Sequence, residues 1–409
     1  MRPLNVILSP QIESKAARRR RRLAVFRPPF RRYVAGLTST SPAIEDLADS
    51  FPALLFALAT GYGTVKEREA AFRAVVDGKP LKEAAAILGL PFWTRRIPAG
   101  ALAHALPLLP CDDEFAAEVV NRIPQTVAEC HAWLDRVSTG LQLIGRDMAV
   151  WIIREPRLMP PLIGEETFQW VLAWAWASVV TSSPGHSVLR GAWTPAIGIK
   201  RALDEVAIWR KRIDLVGALA DDGRDPWYEN GKSGGYDIMQ LTTVADFINE
   251  SEAMENCLDQ YAAHLAYGRV RIFSVRRDGK PVADIELSVR SDRPTEAVLS
   301  QVRGPRNRRA SPAVWQAVTG WLEQQKPRVL GLTVTPRPFA RARLDEFWAP
   351  YIRAIDAASL TLRLPTAVVT GDRILPNSRP VRIMPPLPVE DALPVNDLPR
   401  IVQAAGRGR

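Results

Sequence analysis

The chain has 409 residues and a formal charge of +10, is 47% hydrophobic and 24% charged, and contains 34 prolines, 12 tryptophans and 3 cysteines. Those proportions exclude collagen-like and wholly disordered chains, and the length suits two or three domains with cores of their own. Cys111, Cys130 and Cys257 are too few for a disulfide framework and fit a reducing compartment, which makes the expected location cytoplasmic.

The charge comes first along the chain. Residues 1–44 carry ten basic side chains against Glu13 alone, so this segment is +9 and the rest of the chain +1. Arg18, Arg19, Arg20, Arg21 and Arg22 repel one another and Pro28-Pro29 blocks a helix, so 1–44 reads as a basic disordered arm. Counterion release would draw such an arm to a polyanion, nucleic acid first of all; the other reading is a solubilising or targeting tail. Arg27, Arg31 and Arg32 interrupt the apolar stretch that a secretory signal needs.

Residues 45–220 read as an all-helical module. Apolar residues recur at three and four through 44–58, 66–77, 81–88, 114–121, 126–153, 167–180 and 200–219, with Pro or Gly between. The longest apolar run, 168–180, has thirteen residues. A bilayer needs about 20, so the run is a buried helix bearing Trp170, Trp174 and Trp176 and no membrane is expected. Leu81 to Ile97 has the form of a helix-turn-helix, with Gly89 at the corner and Arg95 and Arg96 on the second segment. Pro98 leaves that segment barely two turns, which favours a plain helical corner over a groove-reading helix.

Residues 221–240, with four glycines and Pro226, read as a linker loop. Gly231-Lys232-Ser233 lacks the earlier glycine and the preceding strand of a phosphate-cradling loop. The period then changes. Val244 to Tyr267 reads as one amphipathic helix. Residues 269–275, 282–290 and 297–303 read as an antiparallel meander, with Arg277-Asp278-Gly279-Lys280 at its first turn. On the middle strand Ala283, Ile285, Leu287 and Val289 alternate with Asp284, Glu286 and Ser288. Ser311-Pro312 opens a further helix through Gln325.

The expected fold class is α+β: an all-helical N-terminal module followed by a helix–three-stranded antiparallel meander–helix domain over 241–326. A strand at 329–334 and a helix near 344–357 make an extension over 327–364. Residues 365–409 hold eight prolines and read as a disordered tail.

Chemistry concentrates in two clusters. Cys257, Tyr261 and His264 fall at i, i+4 and i+7, on one side of the expected helix. Cys257 with Tyr261 is the catalytic candidate, but His264 lies about 10 Å away along the axis and Asn256 cannot accept a proton. The alternative is a buried structural thiol with Tyr261 anchored by its hydroxyl. The second cluster is Gln301, Arg303, Arg306, Asn307, Arg308 and Arg309. Its arginines could hold a phosphate backbone, and Gln301 and Asn307 could read a base edge; otherwise Asn307 closes a turn and the arginines face solvent. His104, His131, His186 and His264 are scattered, so neither a metal site nor a cofactor is expected. No paired-carboxylate pattern stands out along the chain, which leaves open one assembled in space.

The stretch 241–325 resembles the PcfJ-like family. The resemblance rests on Met254-Glu255-Asn256-Cys257-Leu258-Asp259-Gln260-Tyr261, on Gly268 with the strand RIFSV, on IELSV, and on Gln301, Gly304 and Asn307 at spacings of three. Asn256 stands where that family usually has His, and Leu258 where it has Val. The resemblance implies a bacterial chromosomal, plasmid or mobile-element setting and names no reaction. With the basic arm, it gives the expectation of a protein that binds or acts on nucleic acid. The alternatives are a cysteine-dependent enzyme using Cys257 and a helical scaffold for protein partners.

Overall fold

The computed structural model describes residues 15–219, 227–266, 268, 270–289, 297–325, 341–360, 362, 364 and 393–394. Two compact units divide the chain. The first holds residues 1–168, 194–199 and 358–360; the second holds 169–193, 200–357 and 361–409.

The first unit is helical throughout its described residues: α1 (Lys15–Ala24), α2 (Pro28–Thr38), α3 (Pro42–Ser50), α4 (Pro52–Thr60), α5 (Val65–Val76), α6 (Leu81–Ile87), α7 (Asp113–Val120), α8 (Val127–Leu143) and α9 (Arg146–Arg154). It corrects the reading of a disordered arm. Residues 15–38 form two helices, and Leu23, Phe26 and Val34 are buried. The basic block folds because part of its charge is absorbed. Arg19 donates to the Ala35 carbonyl and to Thr38, Arg22 pairs with Asp49, and Arg31 donates to the Ala24 and Phe26 carbonyls. Pro28-Pro29 ends nothing; these prolines occupy the first turn of α2, where a missing N–H costs no hydrogen bond. Residues 1–14 of the arm lie outside the described residues.

The corner at Leu81 to Ile97 is structural. Gly89 is left-handed at φ +67°, and beyond it the chain forms a short 3₁₀ segment, Phe92–Arg96, with Trp93 buried. Its two arginines are spent on carbonyls, Arg95 on Ser50 at 3.0 Å and Arg96 on Val120 at 2.6 Å.

α10 (Glu165–Val179) begins in the first unit and crosses into the second, where α11 (Ile199–Ala218) follows. The sheet comes next, with β1 (Gly231–Ser233), β2 (Tyr236–Gln240), α12 (Val244–Met254), α13 (Ala262–Ala266), β3 (Val270–Arg277), β4 (Lys280–Val289), β5 (Ala297–Arg303), α14 (Pro312–Gln324) and α15 (Arg341–Ala357). No helix among the described residues is long and apolar enough to cross a membrane. The 168–180 run is α10, whose Trp170 and Trp176 meet Trp209 of α11 and Tyr351 of α15 edge-on.

The fold is α+β as expected, but the sheet has five strands in the order β1-β2-β3-β4-β5, all antiparallel, and Leu393–Pro394 pair with the outer edge of β5. The two extra strands lie in the segment read as a linker. Gly234-Gly235 (φ +56° and +80°) turns β1 into β2 as Asp278-Gly279 (φ +52° and +76°) turns β3 into β4, both suited to a tight hairpin. Gly231 is fixed by packing: a Cβ there would come within 2.9 Å of the Trp321 ring. The 329–334 strand and all of 365–409 except 393–394 lie outside the described residues.

The sheet has two covered faces. Ile238, Phe273, Val275, Ala283, Ile285, Leu287, Leu299 and Val302 pack beneath α14, whose Val314, Val318, Trp321 and Leu322 seal that side. On the opposite face Val270 and Ile272 join Leu215 of α11, Phe247 of α12 and Leu265 of α13. Beyond Ile272, along β4 and β5, this second face turns polar.

Candidate functional site

Three local features build a cleft on that polar face. The first is a break in the expected 244–267 helix. Thr243 and Asp246 cap the start of α12 reciprocally, but its end comes at Glu255, which is left-handed (φ 49°, ψ 49°). Asn256 and Cys257 therefore lie in a turn, and Tyr261 follows a short 3₁₀ segment, Leu258–Gln260. Cys257, Tyr261 and His264 do not share a helix face; His264 is exposed and lies against the Tyr261 ring, centroids 5.2 Å apart. Arg212 of α11, fully buried, holds the turn in place through Asp259 and Glu252, each at 2.9 Å.

The second feature is a β-bulge. Glu286 pairs with Gln301 and Leu287 with Leu299, so Ser300 is the extra residue of β5. The bulge changes parity along the strand: Leu299 and Val302 enter the core under α14, while Gln301 and Arg303 face the cleft. Ser300 is tied across to Ser288 by a short hydroxyl–hydroxyl hydrogen bond.

The third is the loop after β5. Arg306 and Asn307 both have positive φ (56° and 55°), and the Arg308 amide donates to the Pro305 carbonyl at 3.2 Å, the pattern of a type I′ turn. Asn307 does close a turn, and it lines the cleft as well.

The resulting small cleft, with about 20 Å³ of space open to a water molecule, is lined by Cys257, Tyr261, Asp284, Glu286, Gln301 and Arg303 among others. The thiol-bearing turn and the amide-rich strand end, distant in sequence, thus meet in one place. The arginine cluster is divided. Arg303 donates to Gln301 Oε1 at 3.3 Å inside the cleft, and Arg306 makes a two-pronged pair with Glu255, both contacts 2.8 Å. Arg308 and Arg309 are exposed and hold no side-chain hydrogen bond or ion pair among the described residues.

Sequence reading missed the carboxyl groups. Glu286 Oε2 accepts from the Tyr261 hydroxyl at 2.9 Å and from Gln301 Nε2 at 2.6 Å. Burial, with the Glu286 charge beside it, pushes the Tyr261 phenol far up, so it stays a neutral donor. Asp284, 6% exposed, accepts from Asn256 Nδ2 at 2.6 Å. Behind it stands Glu250 of α12, 1% exposed, which Arg276 contacts at 3.1 Å. One oxygen of each acid, Glu250 Oε1 and Asp284 Oδ1, is buried without a donor. Burial, together with the Glu250 charge and a hydrogen bond to Glu250, raises Asp284 well above the usual carboxylate range. The available signal was the acidic stripe of β4. A strand whose other face is core carries Asp284 and Glu286 inward only if something there uses them.

Among the described residues no group of three or more His, Cys, Asp or Glu is placed to hold a metal ion. Arg18 and Arg20 of α1, in the first unit, are exposed, while Arg19 and Arg22 are engaged by Thr38 and Asp49.

Neither curated proteins nor solved structures gave a match to the chain. One family model did: residues 229–318, the stretch that supplies every wall of the cleft, match PcfJ-like protein, and the chain thus carries a PcfJ-like domain.

Proposed function

We propose that the PcfJ-like domain binds nucleic acid at this cleft. The observation that carries the reading is the turn after β5, which carries the exposed Arg308 and Arg309, neither with a side-chain hydrogen bond or ion pair among the described residues, next to a cleft lined by three side-chain amides. Arginine forks suit phosphate oxygens, and Asn256, Gln301 and Asn307 offer the donor and acceptor pairs that suit base edges. Glu255 is paired with Arg306 at 2.8 Å, so its charge does not oppose a phosphate at this turn unscreened. Arg18 and Arg20 of α1 supply a second cationic surface.

A thiol-based reaction has less support. Cys257 is exposed and lines the cleft, but no histidine or lysine is among the lining residues to draw off its proton.

The test is the salt dependence of binding. Affinity of the full chain for a fluorescein-labelled single strand is expected to fall steeply with salt. Replacing Arg308 and Arg309 by Ala should flatten the log–log slope by about 1.4, near 0.7 for each lost phosphate contact. Replacing Arg18 and Arg20 tests the α1 surface without the core damage that removing α1, with Leu23, would cause. Binding that is absent, or indifferent to salt, overturns the reading.

A further inference from the structure

We propose that the bound nucleic acid is RNA and that the cleft recognises it by a ribose 2′-hydroxyl, which donates to Glu286 Oε1 and accepts from the Arg303 guanidinium. This rests on the nucleic-acid reading above and names its substrate class.

Size sets the first limit. The cleft has about 20 Å³ of space open to a water molecule, enough for one hydroxyl-sized group and too little for a base or a whole phosphate. Those parts stay outside while a single small group enters.

Hydrogen bonding decides which group. On the wall that β4 and β5 form, Glu286 stands opposite Gln301, and Asp284 opposite Arg303. Gln301 bridges two of its neighbours. Its Nε2 donates to Glu286 Oε2 at 2.6 Å, and its Oε1 accepts from Arg303 Nε at 3.3 Å. The Tyr261 hydroxyl donates to the same Glu286 oxygen at 2.9 Å. Both donors thus converge on Oε2, and half-buried Glu286 keeps Oε1 without a partner among the described residues. Unlike Asp284 Oδ1, this oxygen is not sealed from solvent. On the other side of Gln301, the terminal nitrogens of Arg303 make no side-chain hydrogen bond among the described residues.

An accepting carboxylate and a donating guanidinium therefore line one water-sized space. A phosphate oxygen only accepts, and would meet the Glu286 charge. A base amino group only donates, and would face the Arg303 cation. A hydroxyl does both and suits both walls. The hydroxyl that recurs along a nucleic-acid chain is the ribose 2′-hydroxyl, which DNA lacks. Glu286 is thereby the residue that sets RNA above DNA.

The experiment measures the affinity of the full chain, at one salt concentration and in EDTA, for fluorescein-labelled single strands of one sequence. The strands are RNA, DNA, and RNA with 2′-fluoro in place of every 2′-hydroxyl. Each ends in a 3′-phosphate, which removes the terminal hydroxyl that DNA shares with RNA. RNA should bind at least about tenfold more tightly than DNA, the worth of one hydrogen bond to a charged group. The 2′-fluoro strand keeps the sugar pucker of RNA but has no proton to donate, so it should bind like DNA. In Glu286→Gln the Tyr261 and Gln301 donors claim the one remaining carbonyl oxygen, which puts an NH₂ group where Oε1 was. That variant should bring the RNA-to-DNA ratio within about twofold of unity, whatever the change in the two affinities themselves. The three strands need no variant, so a misfolded Glu286→Gln leaves the proposal testable. RNA and DNA bound alike, or DNA bound more tightly, overturns the inference and keeps the binding reading. A 2′-fluoro strand that binds like RNA does the same, as does an undiminished preference for RNA in folded Glu286→Gln. Binding of neither RNA nor DNA overturns both.

Discussion

Glu255 and Arg306, fifty-one positions apart, are both left-handed and hold each other by two contacts of 2.8 Å. One ends α12 and the other starts the turn after β5, so the pair joins two left-handed backbone positions on segments that flank the cleft. Non-glycine residues reach this region at a cost, and a residue branched at Cβ at a higher one.

Arg306→Gly should therefore leave the melting temperature within about 2 °C of the parent, because relief of strain offsets the lost pair. Arg306→Val loses the pair and adds strain, and should melt lower by more than that. Thermal unfolding followed by circular dichroism decides it, and equal melting of the two variants would show that the turn is unstrained.

Arg212 is the buried support of the Cys257 turn, and Asp259 opposite it is 5% exposed. Arg212→Ala leaves a buried carboxylate without its partner and should cost about 3–5 kcal/mol in denaturant unfolding. Arg212→Met combined with Asp259→Leu should recover most of that loss, since it removes both charges.

Asp284 gives a pH signature. Its folded-state pKa is raised, so the folded form holds its proton more tightly than the unfolded chain does. The contribution is fully present below the unfolded value and is lost as pH rises through the folded one, at about 1.4 kcal/mol for each unit of the shift. Asp284→Asn keeps an acceptor for Asn256 and gains a donor toward Glu250. The variant should match the parent in acid and exceed it in stability above neutral pH. Melting curves from pH 4 to 9 test this, and parallel curves for the two proteins would refute it.

The three thiols should separate cleanly. Cys130 is buried, which pushes its thiol up to about 12, whereas Cys111 and Cys257 are exposed. In the native protein a maleimide should label Cys111 and Cys257, and Cys130 only after unfolding. An oligonucleotide in the cleft should slow labelling of Cys257 about tenfold and leave Cys111 unchanged, read by mass spectrometry of the peptides.

The Ser300 bulge makes a parity prediction. Deleting Ser300 leaves Leu299 and Val302 toward the core and Gln301 and Arg303 toward the cleft, so the domain should still fold. Deleting Leu299 instead pulls Ser300 into the core position and should cost several kcal/mol. Unfolding both deletions in urea separates them.

Sequence periodicity was enough for the helical stretches from α3 to α9, for the β3–β4–β5 meander and for the capped start of α14. It failed where one residue changes the meaning of a stretch. The apolar stripe of 244–267 continues past Met254 because Leu258 and Leu265 are buried all the same, so no pattern marks the left-handed Glu255. The Arg18–Arg22 block looked unfoldable because its partners are backbone carbonyls and Asp49, none of them recognisable from spacing. The β1–β2 hairpin hid in a glycine-rich stretch that has the composition of a linker. Cys257, Tyr261 and Gln301 were visible as candidates, but the Glu250–Asp284 pair was not. Its members are thirty-four positions apart on a helix and a strand, and only the fold brings them together.

Strand β4 serves two masters in strict turn: Ala283, Ile285 and Leu287 hold α14, and Asp284 and Glu286 look the other way. Cleft lining and scaffold are thereby written on interleaved letters of one short word. Exchange of the second set can alter the cleft while the first keeps the sheet and α14 together, so the site and the fold can vary separately.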